Sequence, residues 1–188
     1  MEALATSFGL VFLAELGDKS MLLALAFATR YRPWPVLGGI AIAAFTMLGL
    51  STLIGAALGA ALPEQALAIG GGLLFVGFGI WTLRPESDDE DDVAEVKGSS
   101  VLLGVTGAFL IAEFGDKTML ATATLASTQP ALPTWLGASL GMTVASGIAI
   151  VVGAVLGARI PERATRIAAG VAFLAFGAWL LVEGVVGA

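Results

Sequence analysis

Ala14-Glu15-Leu16-Gly17-Asp18-Lys19-Ser20-Met21-Leu22 returns 98 residues later as Ala112-Glu113-Phe114-Gly115-Asp116-Lys117-Thr118-Met119-Leu120. The same offset carries Pro35 onto Pro133, Gly55-Ala56 onto Gly153-Ala154, and Leu58-Gly59-Ala60 onto Leu156-Gly157-Ala158. It still holds at Pro63-Glu64 and Pro161-Glu162, and where Phe78-Gly79 and Trp81 meet Phe176-Gly177 and Trp179. One gapless offset sustained over about 70 residues is the signature of an internal duplication.

The sequence around both motifs is apolar. Hydrophobic residues make up 57% of the 188 and charged residues 13%, against about a quarter charged in a soluble domain. Each half divides into three apolar segments, roughly 4–28, 36–61 and 66–83, then 101–126, 134–158 and 165–187. Some 20 apolar residues in helix cross about 30 Å of hydrocarbon. The expected fold is therefore all-α, a polytopic membrane protein with six transmembrane helices. Its parts are a first three-helix repeat over 1–84, an acidic linker over 85–98 and a second repeat over 99–188.

The breaks between segments are chemical. Arg30-Tyr31-Arg32-Pro33-Trp34-Pro35 separates the first pair, Pro130 and Pro133 the corresponding pair, and Pro63 and Pro161 suit the first turn of a helix. Between Arg84 and Lys97 lie seven acids and two bases, so one loop accounts for most of the net charge of −6. Such a stretch is expected to be solvated and disordered. Met1-Glu2-Ala3 lacks the basic start of a secretory signal, so the first apolar segment is expected to be retained.

Lys and Arg set the orientation. Outside the segments they fall only in loop 1–2 (Arg30, Arg32), loop 3–4 (Arg84, Lys97) and around loop 5–6 (Arg159, Arg163, Arg166). Basic loops stay on the cytoplasmic side, which puts both termini outside and the acidic loop inside. With three spans per repeat, the second copy enters the membrane upside down. Inverted repeats of this kind are typical of secondary transporters, with the substrate site near the midplane. Gly55 and Gly59, like Gly153 and Gly157, form the small-x-x-x-small pairs that let membrane helices approach closely.

Composition closes several routes to function. There is no Cys and no His, which removes disulfides, thiolate sites and imidazole bases. Basic nucleic-acid-binding stretches are absent as well. Chemistry must run on carboxylates, hydroxyls, lysines and backbone. Apart from Glu2 and Glu183 near the termini, the ionisable groups inside the segments are Glu15, Asp18 and Lys19, then Glu113, Asp116 and Lys117. Each costs about 2.5–3.5 kcal/mol at the bilayer centre on insertion scales. On one continuous helix, i and i+3 share a face, so each Glu would lie beside its Asp. If the repeats meet at a pseudo-twofold axis, four carboxylates converge, with the Ser20 and Thr118 hydroxyls beside them.

Oxygen-rich sites of this kind suit hard divalent cations. Lys19 and Lys117 stand i+4 from the motif glutamates, the favourable order for an intrahelical pair, and they balance charge. Four ionised acids and two lysines sum to −2, which one divalent cation offsets. Protons can take the cation's place when it leaves, the physical basis of exchange. Gly17 and Gly115 can open the helix and expose carbonyl ligands. Buried ion pairs that fix helix register are the plainer reading, but they leave Asp18 and Asp116 unpaired. Met21 and Met119 are expected to pack the core, although a thioether near the site would favour Mn²⁺. Glu64 and Glu162 are expected to complement helix dipoles. Thr46, Ser51, Thr143 and Ser146 either line a pathway or bond neighbouring backbone.

Both motifs match Glu-x-Gly-Asp-Lys-(Thr/Ser), once in each three-helix repeat. In this the chain resembles the GDT-one type family of manganese/calcium membrane transporters. The resemblance implies export of Mn²⁺, and in some members Ca²⁺, from the cytosol in exchange for protons, with no prosthetic group. It carries the family's acidic residues onto Glu15, Asp18, Glu113 and Asp116, with Ser20 and Thr118 beside them. The lack of a long N-terminal extension points to a bacterial inner membrane. Lipid, the cation and protons are then the partners, and the oligomeric state stays open. The competing readings are an intramembrane aspartyl protease and an exporter of a small organic solute. Against the first, Glu stands where that enzyme class has Gly three residues before Asp. The second predicts an apolar-lined cavity in place of twin acidic motifs.

Overall fold

Long runs of Leu, Ala, Gly and Ile with few interior polar groups satisfy their backbone locally as helix, and all regular structure in the described residues is helical. The computed structural model describes residues 1–16, 18–84, 101–156 and 162–186. The elements are α1 (Glu2–Glu15), α2 (Lys19–Arg30), α3 (Pro33–Ala61), α4 (Glu64–Thr82), α5 (Val101–Ala112), α6 (Lys117–Thr128), α7 (Ala131–Leu156) and α8 (Glu162–Val186). The acidic linker expected over 85–98 lies outside the described residues, as does Gly157.

Four helices carry apolar stretches long enough to cross a membrane, within α3, α4, α7 and α8. The two motif-bearing segments do not form continuous helices. Each breaks at its motif into half-helices of 12 to 14 residues, α1 with α2 and α5 with α6. Of the six transmembrane helices expected, the described residues thus give four as single long helices, and the two motif-bearing segments as broken pairs. Backbone conformation is the cause. Leu16 turns extended at φ −64°, ψ 115°. Gly115 takes φ 79°, a left-handed value that side chains resist, and Asp116 follows at φ −70°, ψ 168°. Prolines also shift boundaries. α3 starts at Pro33 and α7 reaches back to Ala131, because proline fits a helix's first turn.

Packing joins the two halves of the chain. The most extensive contacts are α4 against α8, α1 against α7 and α3 against α6. Glycines make them close. Gly55 and Gly59 of α3 sit against the Ala123 and Ser127 carbonyls of α6, so that expected small-residue pair is a true helix contact. Nearer its start, α3 places Gly39 on the Leu102 carbonyl of α5. Contacts along α3 therefore meet α5 first and α6 second, in chain order. From Gly39 to Gly59 the helix rises about 30 Å, so the broken pair runs the length of its unbroken neighbour in the same direction.

These contacts are reciprocal. Gly39 rests on Leu102, and Gly137 rests on Leu4, the same two positions exchanged by 98 residues. In the same way Gly72 packs on the Gly177 carbonyl, and Gly170 on that of Gly79. Such exchange is what a twofold axis between the halves produces. The Trp135 indole N–H also donates to the Phe45 carbonyl (2.9 Å), tying α7 to α3.

Leu53, Leu73, Ile111 and Val182 are exposed on the outside, whereas the motif glutamates are buried inside. Apolar periphery and ionisable interior is the distribution expected of a protein whose solvent is lipid.

Candidate metal centre

Both motifs meet at the centre of the bundle because both segments stop being helix there. Glu15 ends α1, Asp18 precedes α2, Glu113 follows α5, and Asp116 occupies the N-cap position of α6. The geometry expected of a continuous helix, Glu and Asp on one face at i and i+3, is corrected by these breaks. The acids converge instead through tertiary packing of two helix ends.

Glu15 is 0% exposed and Glu113 7%. One carboxylate oxygen from each of Glu15, Glu113 and Asp116 lies within 4.8 Å of the other two. Oxygens sharing one cation at bonds of about 2.1–2.5 Å stand no more than ~5 Å apart, so these three can grip a single ion. Three buried oxygens, Glu15 Oε1, Glu113 Oε2 and Asp116 Oδ2, have no hydrogen-bond partner. Buried carboxylate oxygens without partners are costly unless a cation or proton reaches them.

Asp18 is engaged elsewhere: Lys117 Nζ lies 2.7 Å from its Oδ2, with both side chains largely buried. The expected pairing of Lys117 with its own Glu113 at i+4 is thus corrected. Breaking the helix at Asp116 removes the i+4 geometry, and the ammonium crosses to the other half. The side chain of Lys19 and the whole of Gly17 lie outside the described residues.

The flanking hydroxyls differ. Ser20 Oγ donates to Glu15 Oε2 at 2.6 Å. Thr118 is buried and lines a small cavity with Glu113 and Met119. Met119 Sδ also accepts the Gly115 N–H at 3.4 Å, while Met21 is buried. Of the candidate pathway hydroxyls, Thr46 and Thr143 bond back to their own helices at the Ile42 and Ser139 carbonyls. Ser51 and Ser146 are buried with no partner for Oγ, as are Thr52 and Ser139, which the sequence reading passed over. Glu64 opens the first turn of α4, where its charge suits the dipole. The side chain of Glu162 is outside the described residues.

Sequence reasoning also missed Met47 and Met142, which line the same cavity from α3 and α7. Nothing in composition separates a methionine beside a site from one that fills core. The Gly137–Gly141 pair was legible: its spacing is the small-x-x-x-small signal, and both glycines pack on α1.

Comparison with known proteins adds sequence relatives. The family model described as "Divalent cation/proton antiporter GDT1" matches twice, over residues 3–90 and 101–188. A Vibrio cholerae protein named "Putative manganese exporter" is 32% identical over 164 residues, covering 86% of this chain and 81% of its own length. "GDT1-like protein 3" of Oryza sativa subsp. indica is 28% identical over 200 residues, 93% of this chain and 72% of its own. Its Arabidopsis thaliana namesake is 27% identical over 201 residues, 93% and 69%. No solved structure matches the chain.

Proposed function

The chain belongs to the divalent cation/proton antiporter family GDT1, and from that membership we propose a secondary transporter that exports Mn²⁺ from the cytoplasm, with Ca²⁺ as a second substrate, in exchange for protons. Transport of divalent cations across a membrane comes with the family. The ion's identity, the direction and the exchange are the present reading, and the Vibrio relative's name favours Mn²⁺.

The observation that carries the reading is the trio Glu15, Glu113 and Asp116, with ligand oxygens within 4.8 Å and an unpartnered buried oxygen on each. These residues bind the ion, with Asp18, Ser20 and Thr118 completing the site and Lys19 and Lys117 balancing its charge. Crowded carboxylates in low dielectric do not remain bare when a cation leaves, so protons replace it. That alternation couples the two fluxes.

The scaffold proposed around this site has six spans in two inverted three-helix repeats. Each broken pair counts as one span, since α5 and α6 follow α3 along about 30 Å. The reciprocal glycine contacts support a twofold relation between the halves. So do the two family matches, in which residue 3 corresponds to 101 and 90 to 188, the offset of the motifs. The distribution of Lys and Arg favours both termini outside and the acidic loop on the cytoplasmic side. A protease reading is disfavoured by the Lys117–Asp18 pair, because a catalytic aspartate dyad must share a proton.

Proteoliposomes supplied with Mn²⁺ or Ca²⁺, with lumenal pH recorded, test the proposal. Cation flux against opposite proton movement is expected, abolished by Asp18→Asn and by Asp116→Asn while membrane insertion persists. Full transport in either variant would remove the site. Folded protein that moves neither ion would reject the function.

A further inference from the structure

A cavity of about 10 Å³ opens beside one carboxylate of the trio, Glu113, and is lined also by Met47, Leu48, Thr118, Met119 and Met142. Three of the chain's five methionines thus meet around one acid. Met47 and Met142 are buried, and they arrive from α3 and α7, the two long helices that flank the broken pairs. Glu113 contributes an oxygen that is buried and unpartnered. The 98-residue offset does not reproduce this wall. It carries Met47 onto Ala145, Leu48 onto Ser146 and Ala44 onto Met142. Helix packing common to both halves therefore does not require methionine at either place.

We propose that Met47, Met119 and Met142 form the selectivity wall of the cation site, favouring a divalent transition-metal ion over Ca²⁺ and Mg²⁺. The inference rests on the reading of the carboxylates as a cation site and deepens it. A cavity of this size admits about one water-sized body, so an ion seated there has shed most of its hydration shell. Ca²⁺ and Mg²⁺ need that loss restored by oxygen, Ca²⁺ with six to eight ligands and Mg²⁺ in near-ideal octahedral array. A thioether wall offers them none. First-row transition ions accept softer donors in addition to carboxylate, so sulfur penalises them least.

Leucine keeps the volume of methionine and removes the sulfur. In proteoliposomes, Met47→Leu, Met119→Leu, Met142→Leu and the Met47→Leu/Met142→Leu pair are compared with the parent protein for Mn²⁺ flux in the presence of competing Ca²⁺. Preference for Mn²⁺ over Ca²⁺ should fall roughly tenfold in the pair. An unchanged preference in variants that still transport would overturn the wall and leave the exchanger standing. If the leucine variants fold poorly, norleucine incorporated at every methionine exchanges sulfur for methylene with little change of shape. The same fall in preference is expected there, and retention of the parent's preference overturns the proposal. Parent protein that moves neither ion overturns the exchanger and the wall together.

Discussion

The two motifs are near copies in sequence and unlike in structure. In the first, Glu15 is wholly buried and takes a short hydrogen bond from Ser20, and Asp18 is held by a lysine from the other half. In the second, Glu113 borders a methionine-walled cavity, while Glu15, Glu113 and Asp116 alike keep a buried oxygen without a partner. Duplication supplied two equal sets of acids. Their surroundings differ all the same, through the Ser20 hydrogen bond and the Lys117–Asp18 pair on one side and the methionine-lined cavity on the other.

Removing charge should expose that inequality most strongly. Asp18→Asn strands Lys117 as a buried cation and is expected to cost about 3 kcal/mol, in the range for breaking a buried pair. Asp116→Asn relieves crowding among three carboxylates, so its effect in metal-free protein should stay within about 1 kcal/mol or be stabilising. Unfolding in detergent with guanidinium measures both. Equal losses would mean that the halves are electrostatically alike.

Packing, by contrast, should look symmetric. Gly39→Ala and Gly137→Ala each drive a methyl into a carbonyl of the opposite half, at Leu102 and at Leu4. Each is expected to lower stability by about 2 kcal/mol, the ordinary cost of overpacking. A large gap between them in the same unfolding assay would break the twofold relation.

A smaller asymmetry should follow the hydroxyls. Ser20→Ala leaves Glu15 Oε2 without its donor and should cost about 1–2 kcal/mol, whereas Thr118→Val should cost less than about 1 kcal/mol. Hydrogen exchange at α2 and α6 would localise the difference. Gly115→Ala is also expected to cost about 1 kcal/mol. An added Cβ there meets nothing within 4 Å, so that loss is purely the strain of φ 79°. A stability unchanged by Gly115→Ala would mean that the break is held open by its neighbours and not by the glycine.

Much of this architecture was legible in the residues, and the misses share one cause. The offset between Glu15 and Glu113 reveals the duplication because pattern survives where contacts are unknown. Apolar length locates α3, α4, α7 and α8 because lipid leaves the backbone few alternatives. The face shared by Glu and Asp, and the pairing of Lys117 with Glu113, both assumed that helix continues through the motif. Gly115 in a left-handed conformation voids that assumption, and an ammonium freed from its own turn takes the nearest charge across the interface, Asp18. Met47 and Met142 were hidden for another reason: they meet only at a cavity assembled from α3, α6, α7 and Glu113.

The packing of α4 on α8, of α1 on α7 and of α3 on α6 means that neither half encloses a core of its own. Physically the chain is a dimer whose subunits share one polypeptide. Two free subunits would depend on matched supply and on meeting one another. The covalent join removes both requirements: every ribosome that finishes the chain delivers the two halves in a ratio of one to one, already side by side.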